Sequence, residues 1–212
     1  MVDTDDGDQL TTISNIDYLG HSVTPTGVRL PVKSVKRIKG HISSLVHKHL
    51  FLHRRGAGGA FDASRVGVGF GDWDLITCLN EVRKYIYGGL RERHLEAFLS
   101  DDAKPPFMRG LMAFFPLTTD VAQLSELDGW LLSIFRRAQR ERVKVLQAQF
   151  GVGTPRLSKD QLLSGSWHTY PLIRNDASLP SFVRAWRAAR KYYLRYGLAG
   201  IKPPAYYSLV TY

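Results

Sequence analysis

Cysteine is almost missing from this chain, because Cys78 is the only one among 212 residues. A single cysteine excludes an internal disulfide and a metal site built from several cysteines. We expect Cys78 to be a core residue on a helix, in a reducing cytoplasm. The sequence also lacks an apolar run long enough to span a bilayer, and its acidic N-terminus does not resemble a signal peptide. We therefore predict no membrane partner.

Motifs for metal or phosphate chemistry are scarce as well. Four histidines between residues 41 and 53 have no carboxylate beside them, and no HExxH pair occurs. The adjacent carboxylates Asp5 and Asp6 have no flanking strand and no third carboxylate to support them. The glycine-rich stretch 53–71 contains neither GxxxxGK[ST] nor GxGxxG, so we interpret it as a connector, or secondly as a connector that contacts phosphates. We predict no metal ligand and no cofactor in this chain.

Basic residues are abundant. Lysine and arginine number 29 against 19 aspartates and glutamates, which gives a formal net charge of +10 and a pI near 9.8. This excess favours a polyanionic partner, either nucleic acid or an anionic membrane surface. Many arginines are interleaved with Tyr, Trp and Phe, a pattern that suits nucleic acid better than lipid. A basic protein whose charges are merely solvated is the alternative.

Convincing β-forming sequence is confined to residues 16–30. The turn signal Thr24-Pro25-Thr26-Gly27 lies between residues that favour strands, and Gly20 indicates a bulge or a close approach of backbone. The strand-forming residues are Ile16, Tyr18, Val23, Val28 and Leu30. One hairpin is not stable alone. We therefore expect it to complete a sheet in a partner, or to pack on helices of this chain.

The rest of the chain shows helical spacing of apolar residues. Helices are predicted at 34–52, with Ser34 as N-cap, and at 72–87, 92–99, 107–115, 120–149 and 179–196. The predicted fold is mainly α, with an N-terminal β-hairpin followed by a basic helical bundle. Four segments are expected: an acidic disordered tail at 1–11, the hairpin at 12–32, a helical domain at 33–150, and a helical C-terminal extension with an aromatic tail at 151–212.

Three short segments, in this order, resemble one family. Asp17-Tyr18-Leu19-Gly20-His21, Thr24-Pro25-Thr26-Gly27 and Pro31-Val32-Lys33-Ser34-Val35-Lys36-Arg37 are similar to the end of the palm and the start of the thumb in bacterial reverse transcriptases, retron-like or group II intron-like. In that family an aromatic-Leu-Gly strand opens a hairpin, and a basic helix then begins the thumb. Residues 80–89 and 127–137 resemble helical segments of the thumb and tail, so the likeness covers about residues 12–150.

The family's catalytic motif has no counterpart here. Its palm carries an aromatic-x-Asp-Asp strand that holds the metal ions, and Asp5-Asp6 lies too close to Leu19-Gly20 to be that pair. The resemblance therefore implies the C-terminal palm and thumb portion of an RNA-directed DNA polymerase, a nucleotidyltransferase, split or truncated. It implies no catalysis by this chain alone, with fingers, palm and Mg²⁺ on another chain.

The resemblance also implies roles for named residues. Tyr18, Leu19 and Gly20 would lie near the primer terminus as a primer grip. The basic helices would hold an RNA–DNA or RNA duplex by its phosphates. The first candidates are Lys33, Lys36, Arg37 and Lys39, and the second are Arg83, Lys84, Arg136, Arg137 and Arg140. Two alternatives stay open: a stand-alone basic helical nucleic-acid-binding protein, and a scaffold for an acidic protein partner.

Overall fold

The computed structural model describes most of the chain. It covers residues 2–4, 10–12, 15–18, 20–52, 62–66, 72–101, 103, 109–154, 156–168 and 175–197. Helices dominate these residues, and a small antiparallel sheet precedes the helices. The predicted mainly α fold class is therefore confirmed.

Among the described residues, five short strands form two antiparallel sheets near the N-terminus. Strand β1 (Val2–Thr4) pairs with β2 (Leu10–Thr12). Strands β3 (Ile16–Tyr18), β4 (His21–Thr24) and β5 (Gly27–Arg29) form the second sheet in that order. Strand β1 and the start of β2 lie within segment 1–11, for which a disordered tail was expected. Pairing between backbones organises these strands, and it requires no apolar periodicity.

The expected hairpin is a three-stranded meander, because the chain reverses twice. The predicted turn at residues 24–27 is confirmed, since Thr24 pairs with Gly27 across it. The unexpected reversal lies between Tyr18 and His21, which face each other in the β3–β4 register. Gly20 in this turn has φ +79°, and no atom would lie within 4 Å of an added Cβ. A turn that needs positive φ, and neither a bulge nor a close approach, therefore explains this glycine.

The three-stranded sheet docks on its own chain at residues 118–123. The Val28 carbonyl accepts bonds from the amides of Thr119 (2.8 Å) and Asp120 (3.2 Å). The Val28 amide donates to Thr119 Oγ1 at 2.9 Å. Gly27 allows this approach, because a Cβ there would lie 2.3 Å from Thr119 Oγ1. The sequence allowed the hairpin either to complete a sheet in a partner or to pack on this chain, and the structure shows the second placement.

In the part of the chain that the structure describes, six α-helices follow the sheet. They are α1 (Val32–Leu50), α2 (Trp73–Tyr87), α3 (Glu92–Leu99), α4 (Val121–Phe150), α5 (Lys159–Ser164) and α6 (Phe182–Tyr196). Short 3₁₀ turns lie at Ala63–Val66, Leu111–Phe114 and Asn175–Ala177. The predicted helices at 92–99 and 120–149 match α3 and α4 closely, and the one at 72–87 matches α2 with Asp72 as its N-cap.

Several helix predictions differ from the structure: α6 begins at Phe182 and not at 179, and the segment predicted as a helix at 107–115 contains the 3₁₀ turn Leu111–Phe114. Helix α1 begins at Val32 with Pro31 as N-cap, so Ser34 is inside the helix and not its cap. Pro31 suits this position because it has no amide hydrogen to leave unbonded, and its carbonyl accepts from the Val35 amide at 3.0 Å. Helix α5 was not predicted, although Ser158 and Gln161 form a capping box at its start.

A single hydrophobic cluster joins the helices on both sides of residue 150. Its fully buried members include Ile42 on α1, Leu79 on α2, Phe135 on α4 and Phe182 on α6. The predicted boundary at 150 therefore does not separate two cores. Cys78 is buried on α2, as expected.

The start of α6 is held by a carboxylate of α4. Asp128 accepts bonds from the Ser181 hydroxyl at 2.7 Å and from the Phe182 amide at 2.6 Å. The Ser181 amide donates to the Tyr87 hydroxyl at 2.8 Å. An acceptor at a helix N-terminus satisfies amides that have no partner within the helix. The C-terminal helix is thus fixed against α2 and α4.

Candidate nucleic-acid interface

Helix α1 concentrates positive charge without any acidic residue. Its 19 residues contain five lysines and arginines and three histidines. The five cations are Lys33, Lys36, Arg37, Lys39 and Lys48. Among the described residues, every ion pair engages a cation from outside α1. The positive charge of α1 is therefore not neutralised within the described part of the chain.

The distribution of charge along α1 is unfavourable for the helix itself. Lys33, Lys36 and Arg37 lie in its first two turns, where the helix dipole is positive. Its N-cap, Pro31, provides no side-chain hydrogen bond, and its first turn contains no Asp or Glu. Acidic residues would stabilise this end, whereas cations repel it. A bound anion would relieve the repulsion, which is the arrangement expected of a phosphate-binding surface.

A groove between α1 and α4 collects part of this charge. It encloses about 240 Å³, with an apolar floor and a mostly basic rim. Its lining residues are Arg29, Val32, Val35, Lys36, Lys39, Gln123, Glu126 and Leu127. Of the four first candidates, Lys36 and Lys39 line this groove. Lys33 and Arg37, four residues apart, share an exposed face of α1 outside it.

The groove is also lined by Arg29, a cation that was not among the binding residues predicted from the sequence. Arg29 is exposed at the end of β5 and lines the groove beside Lys36. Only the docking of the sheet on α4 places it there. On the other side, Lys39 Nζ lies 5.5 Å from the ring centroid of Trp130 on α4. At this distance a cation–π contact steadies the lysine without neutralising its charge.

The structure places one residue predicted to contact phosphate, Arg83, in the interior. The side chain of Arg83 is buried, with 4% of its surface exposed. Its guanidinium donates to Asn80 Oδ1 at 3.0 Å and to the Asp176 carbonyl at 2.7 Å, and it lies 3.7 Å from Glu92. Arg83 therefore ties α2 to the segment before α6. It lies one residue after Val82 and four after Leu79, on the side of α2 that faces the core.

The other second-rank candidates are exposed but do not share the α1–α4 groove. Lys84 lies on α2. Arg136 and Arg140 line a separate depression of about 250 Å³ on α4, together with Gly129, Leu132 and Ser133. Arg137 lines neither the α1–α4 groove nor this depression. The structure therefore distributes the cations of α4 and α1 over at least two surfaces.

The residues expected as a primer grip lie at the outer edge of the sheet. Tyr18 is 66% exposed at the end of β3, and Gly20 lies in the following turn. Leu19 lies outside the described residues. Strand β4 separates β3 from β5, which leads into α1. Two strand spacings amount to about 10 Å, so the structure does not bring this edge to the rim of the groove.

Metal-ligating clusters and membrane-spanning helices are both absent from the part of the chain that the structure describes. No group of three or more His, Cys, Asp or Glu side chains there could hold a metal ion. None of the described helices is both long and apolar enough to cross a bilayer. Comparisons with known proteins found no matching family model, no similar curated protein and no similar solved structure.

Proposed function

We propose that this chain binds the phosphate backbone of a nucleic-acid duplex through the α1 surface, defined as Arg29, Lys33, Lys36, Arg37 and Lys39. One observation carries the proposal: α1 has five lysines and arginines, no acidic residue, and no ion pair among the described residues. Such a surface gains free energy by releasing counterions from the polyanion it contacts. The contacts position a duplex without reading its sequence.

The packing of α1 supports a rigid binding surface. Its opposite face buries Ile38, Ile42, Val46 and Leu50 in the core, and none of them is more than 3% exposed. The α1 cations therefore project from a helix whose position is fixed before the ligand arrives. Binding then costs only the ordering of long side chains, because the backbone is already in place.

We further propose a thumb-like role in RNA-directed DNA synthesis in the cytoplasm. The order of the aromatic-Leu-Gly segment, the turn and the basic helix supports this role by resemblance. The catalytic aspartates and their Mg²⁺ would belong to another chain that carries fingers and palm. In this arrangement α1 would grip the template–primer duplex and would leave nucleotidyl transfer to the partner.

Charge removal on α1 tests the binding proposal. We would change Lys33, Lys36, Arg37 and Lys39 together to Gln, and measure fluorescence anisotropy of a labelled RNA–DNA hybrid across a salt series. We expect weaker binding and a salt slope reduced by about one for each lost phosphate contact. The matched control changes four other exposed cations, Arg93, Arg156, Lys159 and Arg187, to Gln and should keep the wild-type salt slope. An unchanged slope in the α1 variant would remove its four substituted residues from the interface.

A stand-alone nucleic-acid-binding protein is the second candidate. It is favoured by the docking of β5 on residues 118–123, because that edge of the sheet needs no partner's strand. A polymerase assay separates the two candidates. We would add this chain to a purified chain that carries the catalytic motif. Stimulated synthesis supports the thumb-like role, whereas hybrid binding without stimulation supports the stand-alone binder. Absence of binding at low salt would favour a scaffold for an acidic protein.

A further inference from the structure

The α1–α4 groove contains one feature that a simple phosphate grip does not need. Glu126 on α4 lines it among the cations Arg29, Lys36 and Lys39. Glu126 is exposed, and among the described residues it forms no ion pair with either lysine. A carboxylate weakens the attraction of the groove for phosphate. A ligand group that donates hydrogen bonds to Glu126 would offset this loss.

The floor of the groove is apolar. Val32, Val35 and Leu127 lie between the charged residues of the rim, and Val32 is 65% exposed. The volume of about 240 Å³ is below the range of about 300–1,000 Å³ typical of pockets for drug-sized ligands. A flat, apolar group smaller than a whole nucleotide fits these dimensions. A nucleobase has this character, with apolar faces and polar edges.

Hydrogen-bond chemistry selects among the bases. An ionised carboxylate only accepts hydrogen bonds, through two oxygens. Guanine alone presents two adjacent donors on its pairing edge, the N1 hydrogen and the N2 amino group. In a duplex those donors are engaged with cytosine, so only an unpaired guanine can offer them. Arg29 and Lys36 on the rim can hold the phosphate attached to the same nucleotide.

We propose that the α1–α4 groove binds one unpaired guanosine of the nucleic-acid strand that the α1 surface holds. The base lies on Val32 and Val35, Glu126 accepts from its N1 and N2 hydrogens, and Arg29 and Lys36 contact its phosphate. The inference rests on the proposed function, since the strand is held first by the α1 cations. It adds base selectivity to a surface that otherwise contacts only the backbone.

The test uses the full chain and three labelled RNA–DNA hybrids. One is blunt, one ends in a single unpaired 3′ guanosine, and one ends in an unpaired 3′ cytidine. By fluorescence anisotropy we expect the guanosine hybrid to bind about tenfold more tightly than the cytidine hybrid, as a bidentate contact to one base provides. Equal affinity of the wild-type chain for all three hybrids, with a normal salt dependence, would overturn this inference alone. No salt-dependent binding to any hybrid would overturn the proposed function as well.

Glu126→Gln gives the decisive comparison, because electrostatics and base recognition predict different results. Removing a negative charge strengthens the attraction for phosphate in every hybrid. We nevertheless expect the ratio of guanosine to cytidine affinity to fall to about one. The matched control Glu81→Gln makes the same charge change on α2, outside the groove, and should keep the ratio. A tenfold ratio that survives Glu126→Gln would contradict the role of this carboxylate.

Discussion

Gln123 binds both backbone groups of Leu30. The Leu30 amide donates to Gln123 Oε1 at 2.8 Å, and Gln123 Nε2 donates to the Leu30 carbonyl at 3.0 Å. Leu30 is fully buried and connects β5 to α1, while Gln123 lies in the first turn of α4. These two bonds fix the start of the basic helix against the long helix. They therefore set the geometry of the α1–α4 groove.

Replacing Gln123 by Leu should destabilise the fold. The buried amide and carbonyl of Leu30 would lose their partners, which costs about 1–3 kcal/mol in the free energy of unfolding. Urea unfolding measures this loss. The control is Ser125→Ala, an exposed position whose hydroxyl donates only to the Val121 carbonyl, where a change within about 0.5 kcal/mol is expected. Equal effects of the two substitutions would show that the bonds to Leu30 contribute little.

Arg142 holds together three helices from the interior. Its guanidinium lies 3.1 Å from Asp72 Oδ2 and 3.0 Å from Asp74 Oδ2, and it donates to the Leu50 carbonyl at 2.6 Å. Arg142→Met would leave the Asp72 carboxylate without its cation and would leave Asp74 with Arg65 alone. We expect a loss of about 3–5 kcal/mol in the free energy of unfolding, typical of a broken buried pair.

A neighbouring lysine supplies the control for Arg142. Lys144 pairs with Glu141 at 3.0 Å, but both side chains are more than half exposed. Lys144→Met should cost less than about 1 kcal/mol, because water screens the pair. Chemical denaturation of both variants under one set of conditions gives the comparison. If the two losses are similar, burial does not strengthen the Arg142 network.

Asp101 should make the free energy of unfolding depend on pH in the acidic range. The Lys191 ammonium, which donates to Asp101 Oδ1 at 2.9 Å, and Arg195 lower the pKa of this carboxyl below its ordinary value of 3.8. When folding lowers the pKa of a carboxyl group, its charged form stabilises the folded state at every pH above the pKa of the unfolded chain. This stabilisation is lost as the pH falls through the lower pKa of the folded state. Wild type should therefore exceed Asp101→Asn in stability at neutral pH, with the difference shrinking in acid.

Urea unfolding of both proteins over an acidic pH series at low salt measures this difference. Asparagine is a suitable replacement, because Asp101 has φ +69° and asparagine tolerates the left-handed region. The substitution therefore removes the charge with little change in backbone strain. A difference that stays constant or grows on acidification would contradict the ion pairs with Lys191 and Arg195.

Lys33→Glu should change stability and binding in opposite directions. In the first turn of α1 the new carboxylate would interact favourably with the helix dipole, and we expect a gain of about 0.3–1 kcal/mol in the free energy of unfolding. The same change should weaken binding to an RNA–DNA hybrid, because it reverses a phosphate-binding charge. Lys48→Glu, in the last turn, is the control and should lower stability. Unweakened binding by the Lys33 variant would place that residue outside the interface.

Much of the helical architecture followed from local patterns. Apolar spacing predicted α1 to α4 and α6, because amphipathic periodicity acts within a few residues. Asp72, Gly88 and Gly197 lie at the ends of these helices, where such residues are expected. The turn between β3 and β4 and the helix α5 were not predicted, although a glycine and a capping box mark them in the sequence. Gly20, directly before His21, suits a bulge in a continuing strand as well as a turn, and the capping box at Ser158 begins a helix of only six residues.

The partners of the buried arginines could not be predicted in the same way. Arg83 and Arg142 lie four residues after the buried Leu79 and Ala138, so helical spacing places them on the core sides of α2 and α4. Spacing alone does not show which partners would compensate a buried guanidinium. The tertiary structure buries both, because Asp72, Asp74, Glu92 and backbone carbonyls from distant segments meet them there. A buried guanidinium requires such partners, and only folding brings them together.

Composition and periodicity are local properties, and they are enough to predict a basic, mainly helical chain whose first long helix has no acidic residue. Which cations lie side by side depends on the folding of distant segments onto one another. In the folded chain β5 packs at the start of α4, so that Arg29, Lys36 and Glu126 line one groove. Arg83, by contrast, lies in the interior. The physical reason is that a groove is formed by segments about ninety residues apart, and their meeting depends on burial and on hydrogen bonds such as those between Leu30 and Gln123.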